Sequence, residues 1–394
     1  MKYERITTEN QLTELCERIA EAATIAFDTE FVSEHSYRPQ LCLVQVAVEG
    51  WLAVIDTIAL PDIARFWDLL RRGGHQSLVH AGREEVGFSL TAVGAPPSNL
   101  FDLQIAAGLV GLEFPAGYSS LVQKLLGQTP HKGETRTDWR RRPLSDRQVQ
   151  YALTDVIHLE PMRDRLNDRL TRLGRMDWLR TEMAAWLEEV QASYRRDRWR
   201  RTSGISGLNA RSKAIVRELW QWREGEAERR DIPVRRVLRD DLIVELAKRQ
   251  CDDVASIRTI RGLERGDLKH ALADIAQSIR RGLDVPEKDL PRGRAPRDLP
   301  PQLNLLGQFL SSALGSICRE ANLATSLVGG PNDVRELVAY RLGMSHPDDP
   351  LPALAQGWRA EVVGSLIDDL LSGKTAIRIV NPKSEQPLKF ETRE

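Results

Sequence analysis

Two carboxylates two residues apart, Asp28 and Glu30, close the apolar run TIAFDTEF. On a strand such neighbours point to the same face. They form either a solvated strand end or part of a divalent-cation site, because like charges held that close repel unless a cation lies between them. A second acidic group follows in LVHAGREE, where His80 ends an apolar run and Arg83, Glu84 and Glu85 open a helix. Acids in a first helical turn also complement the helix dipole, which is their simpler role. The third group is Tyr151 and Asp155 in RQVQYALTDVIHL. Four apart on a helix, a phenol and a carboxylate share a face.

The elements that must position these groups are legible in outline. Apolar, β-rich runs at 25–31, 41–48, 52–55, 77–80 and 99–101 read as strands. Glu49-Gly50 is a turn between the second and third, so the first three form an antiparallel meander. The first twenty residues carry an amphipathic helical pattern, and further helices are expected at 61–72 and 83–92, with helical structure from about 104 to 190. The Gly- and Ser-containing SGISGL then marks a boundary. Helical periodicity returns at 211–225, 237–250 and 266–282, and the proline-rich 284–301 reads as an extended linker. Mostly helical sequence follows from Gln302, closing with a short β-like run at 375–380.

The chain has 394 residues, enough for about two to three domains. No apolar run reaches the length of a membrane span. The start lacks the apolar core of a secretory signal, and four scattered cysteines without a CxxC pair suit a reducing compartment, so a cytoplasmic location is expected. The formal net charge is zero, with 56 basic and 56 acidic residues. That total hides a segregation: residues 1–130 carry −7, 131–300 carry +9 and 301–394 carry −2. An acidic site facing a basic gripping surface is the pattern this suggests.

The segments FDTEF, LVHAGREE, FDLQIAAGL and RTDWRRRPLSDRQVQYALTDVIHL together resemble ribonuclease D, the tyrosine-type branch of the DEDD 3′-5′ exonucleases, over about residues 1–185. The resemblance implies a ribonuclease-H-like α/β domain, a mixed five-stranded sheet flanked by helices, and hydrolysis assisted by two divalent ions, Mg²⁺ or Mn²⁺. Carried over, Asp28 bridges the two metals, Glu30 and Asp155 complete the tighter site, and Tyr151 orients the attacking water. Gln150 stands where the sibling branch has its His. Glu85 aligns where the family has Asp, a reach longer by about 1.5 Å. It is expected to serve the second metal, while Asp102 starts the next helix as an N-cap.

Residues 205–285 resemble the HRDC domain, through ELWQWREGEAERRDIPVRRVLRDDLIVELAKR and TIRGL. The stretch from Gln302 resembles the C-terminal helical part of bacterial ribonuclease D. The domains expected are therefore an exonuclease at 1–190, a basic linker at 191–204, the HRDC domain at 205–285, a proline-rich linker at 286–301 and a helical, HRDC-like unit at 302–394 with a structural role. Nucleic-acid contacts are expected from His80, Lys132, Arg136, Arg140, Arg141, Arg235 and Arg236; the competing roles are a solvated helix face and protein docking. Trp139 is read as a core residue rather than a base-stacking one. The resemblance implies a monomeric 3′-5′ exoribonuclease that acts on single-stranded RNA 3′ ends, tRNA precursors among them, and releases nucleoside 5′-monophosphates. The alternatives are action on DNA ends and a nucleic-acid-binding adaptor with reduced activity.

Overall fold

Alternating apolar residues across 24–56 build the expected meander, with β2 (Thr24–Val32), β3 (Gln40–Val48) and β4 (Trp51–Asp56) antiparallel. Glu49 and Gly50 both take positive φ, the backbone of a two-residue hairpin turn. The computed structural model describes residues 1–129, 137–195, 198–263, 266–291, 300–346, 349–384 and 386–392. Strand β5 (Gln76–Val79) runs parallel to β2, and β6 (Leu100–Asp102) runs parallel to β5. The mixed sheet has one strand more than the five expected. β1 (Glu4–Ile6) lies parallel to β4 at the edge, giving the order β1-β4-β3-β2-β5-β6. The opening residues are thus not one helix: α1 (Glu9–Glu21) starts only after Thr8, whose side chain closes a capping box with Gln11. Three residues are too few to carry a periodic signal, and the free edge of β4 selects them as a strand.

The pleat of β2 divides the molecule. Phe27 points toward α2 (Ala64–Arg72), meeting Phe66 and Trp67 edge-on at 6.1 Å, while Phe31 meets Phe88 of α3 (Arg83–Val93). The alternate residues, Asp28 and Glu30, therefore face the other side. Helices α4 (Leu103–Gly108) and α5 (Tyr118–Leu126) lead to α6 (Asp146–Ile157). Val149, Ala152 and Leu153 of α6 pack with Trp139 on Cys42, Leu43, Leu52 and Val54. Trp139 is 3% exposed, the core residue the sequence suggests.

Helices α7 (Leu159–Arg172) and α8 (Met176–Arg195) complete this unit, and α8 runs past the boundary expected at 190. A short turn, Arg198–Arg201, drops Trp199 into a second, separate core. That core belongs to α9 (Ala210–Arg230), α10 (Val234–Val237), α11 (Asp240–Arg249), α12 (Val254–Arg258), α13 (Gly266–Lys269) and α14 (Leu272–Asp284). The C-terminal elements α15 (Pro301–Glu320), α16 (Thr325–Val328) and α17 (Pro331–Arg341) instead share one apolar cluster with the sheet unit, Leu314 and Leu327 joining Leu109 and Val110. This part is not purely helical, since β7 (Thr375–Ile379) pairs with β8 (Leu388–Thr392) in a closing hairpin. Among the described residues no helix is long and apolar enough to cross a membrane.

Candidate active site

Asp28 and Glu30 reach one face of β2 because a single residue, Thr29, separates them, and the pairing register shifts immediately after Glu30. Helix α6 crosses the same face. Its start is set by Ser145, whose capping box with Gln148 fixes the register of everything downstream. Tyr151 and Asp155 then fall one turn apart on the side turned toward β2. Carboxylate oxygens of Asp28, Glu30 and Asp155 all lie within 4.8 Å of one another. Two segments more than a hundred residues apart in sequence thus build one acidic cluster, beside a cavity of about 150 Å³ lined by Asp28, His80, Tyr118, Tyr151 and Asp155.

The electrostatics of this cluster are those of close-set acids that repel one another. Burial, then the neighbouring Asp28 and Asp155, push Glu30 up to about 9, and burial pushes Asp155 up to about 7. Asp28 is raised by burial and by Asp155, partly offset by the hydrogen bond it accepts from Gln45 Nε2 at 2.7 Å. Among the described residues none of these three pairs with Lys or Arg. Hard oxygen donors, close-set and unneutralised, fit a divalent cation.

Glu85 enters differently. It is 4% exposed and comes from α3, where its Oε1 accepts from Thr29 Oγ1 at 2.6 Å. Besides this bond to Thr29, Glu85 interacts directly with Asp28, so it adjoins the cluster from α3. Burial and then Asp28 raise it as well. It is not one of the three mutually close carboxylates. Asp102 is the N-cap expected of it: its carboxylate accepts from the backbone N–H groups of Gln104, Gly82 and Ala81 at 2.8, 2.9 and 3.2 Å.

Tyr151 hydrogen-bonds the Asp155 carboxylate and stacks on Trp139, with ring centres 6.3 Å apart. Burial and the surrounding acids raise its pKa, so at neutral pH it keeps its proton and acts as a donor. His80 lines the cavity and donates Nε2–H to the Ala116 carbonyl at 2.9 Å. Burial lowers its pKa, favouring the neutral ring. Tyr118, which the sequence reading did not single out, forms the adjacent wall; its hydroxyl donates to the Thr154 carbonyl and stands 3.0 Å from His158 Nδ1. Gln45 was also missed. A fully buried polar residue in an apolar strand, LCLVQVAV, was the signal available.

The basic candidates separate. Lys132 and Arg136 lie outside the described residues. Arg140 pairs with Asp138 at 2.8 Å, and Arg141, 86% exposed, reaches the same carboxylate at 3.8 Å. The adjacent Arg142 is structural, its guanidinium gripping the fully buried Asp56 and the Cys42 carbonyl. Around Pro233, Arg229 and Arg230 pair with Glu226, and Arg239 pairs with Asp241. Arg235 and Arg236 on α10 are exposed and make no ion pair among the described residues. These two do not stand alone in space: the loop after β2 reaches the same unit, Tyr37 Oη donating to Glu224 Oε2 at 3.0 Å and Arg38 pairing with Glu228 at 2.8 Å.

The family model for 3′-5′ exonuclease matches residues 3–171, and the one for the HRDC domain matches residues 212–279. A ribonuclease D of Acidiphilium cryptum is 35% identical over 382 residues, covering 94% of this chain and 94% of the relative. The ribonuclease D of Escherichia coli is 28% identical, covering 94% of this chain and 99% of its own length. The crystal structure of Escherichia coli RNase D, described as an exoribonuclease involved in structured RNA processing, superposes with a TM-score of 0.80 at 27% identity, over 95% of this chain and 99% of that one.

Proposed function

This chain belongs to the ribonuclease D family and is a 3′-5′ exoribonuclease, and from that premise we propose that Asp28, Glu30 and Asp155 hold a divalent cation while Glu85, with Asp28, serves a second. The observation that carries the reading is the close-set cluster of three partly buried, unneutralised carboxylates. Mg²⁺ or Mn²⁺ suits its all-oxygen donors. A pair of such ions supplies polarisation of the phosphate, a more acidic water and stabilisation of the departing 3′ oxygen.

The chain's own residues do the rest. The Tyr151 hydroxyl, kept protonated and locked by Trp139 and Asp155, orients the attacking water. His80 and Tyr118 wall the cavity that receives the terminal nucleotide. Breaking the bond between phosphorus and the 3′ oxygen leaves the phosphate on the released unit, a nucleoside 5′-monophosphate. Arg140, Arg141, Lys132 and Arg136 precede α6 in sequence and are assigned to backbone phosphates, as are Arg235 and Arg236 on the HRDC unit. Residues 1–190 cut, 205–285 hold, and 302–394 support, with linkers at 191–204 and 286–301. A monomer in the cytoplasm, trimming structured precursors such as tRNA with a single-stranded 3′ extension, fits these parts.

The test uses 5′-labelled RNA, matched DNA and a tRNA with a 3′ extension, each with Mg²⁺ or Mn²⁺. Stepwise shortening of RNA that disappears in Asp28→Ala is the expected result. Faster shortening of DNA would move the substrate to DNA ends, and binding without shortening would make the protein an adaptor. Glu85→Ala as active as wild type would remove Glu85 from the metal set.

A further inference from the structure

We propose that the C-terminal helical unit is a positioning element of the nuclease site, acting through the loop at residues 111–117. The proposal rests on the site assignment above. It starts from two glycines. At Gly108 a Cβ would come within 2.8 Å of the Leu327 side chain and 3.2 Å of Phe114. At Gly111, whose φ is +82°, a Cβ would press at 3.0–3.1 Å on the backbone of Asn322. A side chain at Gly108 would force Leu327 to shift, and one at Gly111 would be strained by its backbone and pressed against that of Asn322.

Directional bonds close the contact. The Ala324 N–H donates to the Gly108 carbonyl at 2.9 Å, and the Ser326 hydroxyl donates to the Phe114 carbonyl. The guanidinium of Arg175, 7% exposed, spans both sides, donating to the carbonyls of Leu109 at 2.7 Å, Asn322 at 2.8 Å and Ala321. This joint is backbone against backbone over a shared apolar cluster, which makes it rigid.

What the joint holds is one wall of the active site. Two residues beyond Phe114, the Ala116 carbonyl accepts from His80 Nε2 and from Gln104 Nε2, each at 2.9 Å. Two residues further, Tyr118 begins α5 and lines the cavity opposite the carboxylates. A shift of Phe114 therefore moves the acceptor of His80 and the ring of Tyr118 together. Ser326 and Leu327 are positioning residues; neither lines the cavity.

The 394-residue chain and its Ser326→Ala and Ser326→Ala/Leu327→Ala variants would be compared on a ribodinucleotide, too short to reach the helical units, and on long RNA. Amide exchange at residues 112–118 would be followed alongside. Since a displacement of about 1 Å at a reacting centre costs up to 10²-fold, the double variant is expected to lose about tenfold in kcat on the dinucleotide. Exchange at 112–118 is expected to rise at least about threefold, and Ser326→Thr/Leu327→Met to restore both. Ser326→Ala alone alters one exposed hydroxyl, so it reads the effect even if the double variant fails to fold. Unchanged dinucleotide kcat with a higher KM on long RNA only would overturn the proposal, leaving a remote RNA-holding role. So would unchanged exchange at 112–118. Asp28→Asn separates the underlying reading: if it cleaved the dinucleotide like wild type, the site assignment would fail whatever the exchange showed.

Discussion

At the scale of single residues, the acidic cluster stores repulsion that a bound divalent cation would relieve. An acid whose folded pKa lies above its unfolded value stabilises the fold while protonated. That contribution is complete below about pH 4 and is lost as pH rises through the folded value, about 7 for Asp155 and about 9 for Glu30. Metal-free protein should therefore lose thermal stability between about pH 5 and pH 9. Thermal unfolding in chelator should show this fall, Asp155→Asn should flatten it, and Mg²⁺ should raise the midpoint most at the alkaline end. An equal midpoint at pH 5 and pH 9 in chelator would contradict the cluster's electrostatics. Tyr151→Phe keeps the ring on Trp139 and removes only the hydroxyl. Turnover should fall by about 10²-fold or more with KM and unfolding temperature little changed.

At the scale of elements, α6 is the part on which the site depends, because it alone carries Tyr151 and Asp155 to the β2 face. Two anchors hold it. Trp139 packs beneath it, and Arg142 ties the preceding loop to the buried Asp56. Trp139→Ala should cost about 3–5 kcal/mol in denaturant unfolding. Activity measured well below the midpoint should fall too, since Tyr151 loses its stacking partner. Ser145→Ala, removing the capping box alone, should cost only about 1 kcal/mol. If it cost as much as Trp139→Ala, capping rather than packing would set the helix. The spacing of Tyr151 and Asp155 made α6 legible in advance, as alternation did β2. β1 was not legible, for want of length, nor was the role of Arg142, which reads in sequence as one more member of a basic run.

At the scale of the whole molecule, the zero net charge conceals the acidic cutting unit and the basic surplus beyond it. Not every arginine there is free to bind, since Arg229, Arg230 and Arg239 pair with neighbouring acids. Arg235 and Arg236, exposed and without an ion pair among the described residues, are the two proposed for phosphates. Their double replacement by Glu should raise KM for long RNA severalfold. It should also flatten the logarithmic salt dependence of binding by about 0.7 per lost contact and leave dinucleotide turnover unchanged. A uniform loss on both substrates would place these arginines in the fold instead.

Backbone geometry is local, so the sequence by itself determined everything that repeats along a strand or a helix. It set Asp28 and Glu30 on one face, Tyr151 beside Asp155, the meander with its Glu49-Gly50 turn, and a separate middle helical unit. Tertiary structure alone decided which faces meet. It turned Gln45 onto Asp28, brought Glu85 to Thr29 and Asp28, set Tyr118 in the cavity wall, and fused the C-terminal helices to the nuclease across Gly108 and Gly111. Those outcomes depend on shape complementarity between segments as far apart as Phe114 and Ser326, 212 residues, for which no short-range pattern exists to be read.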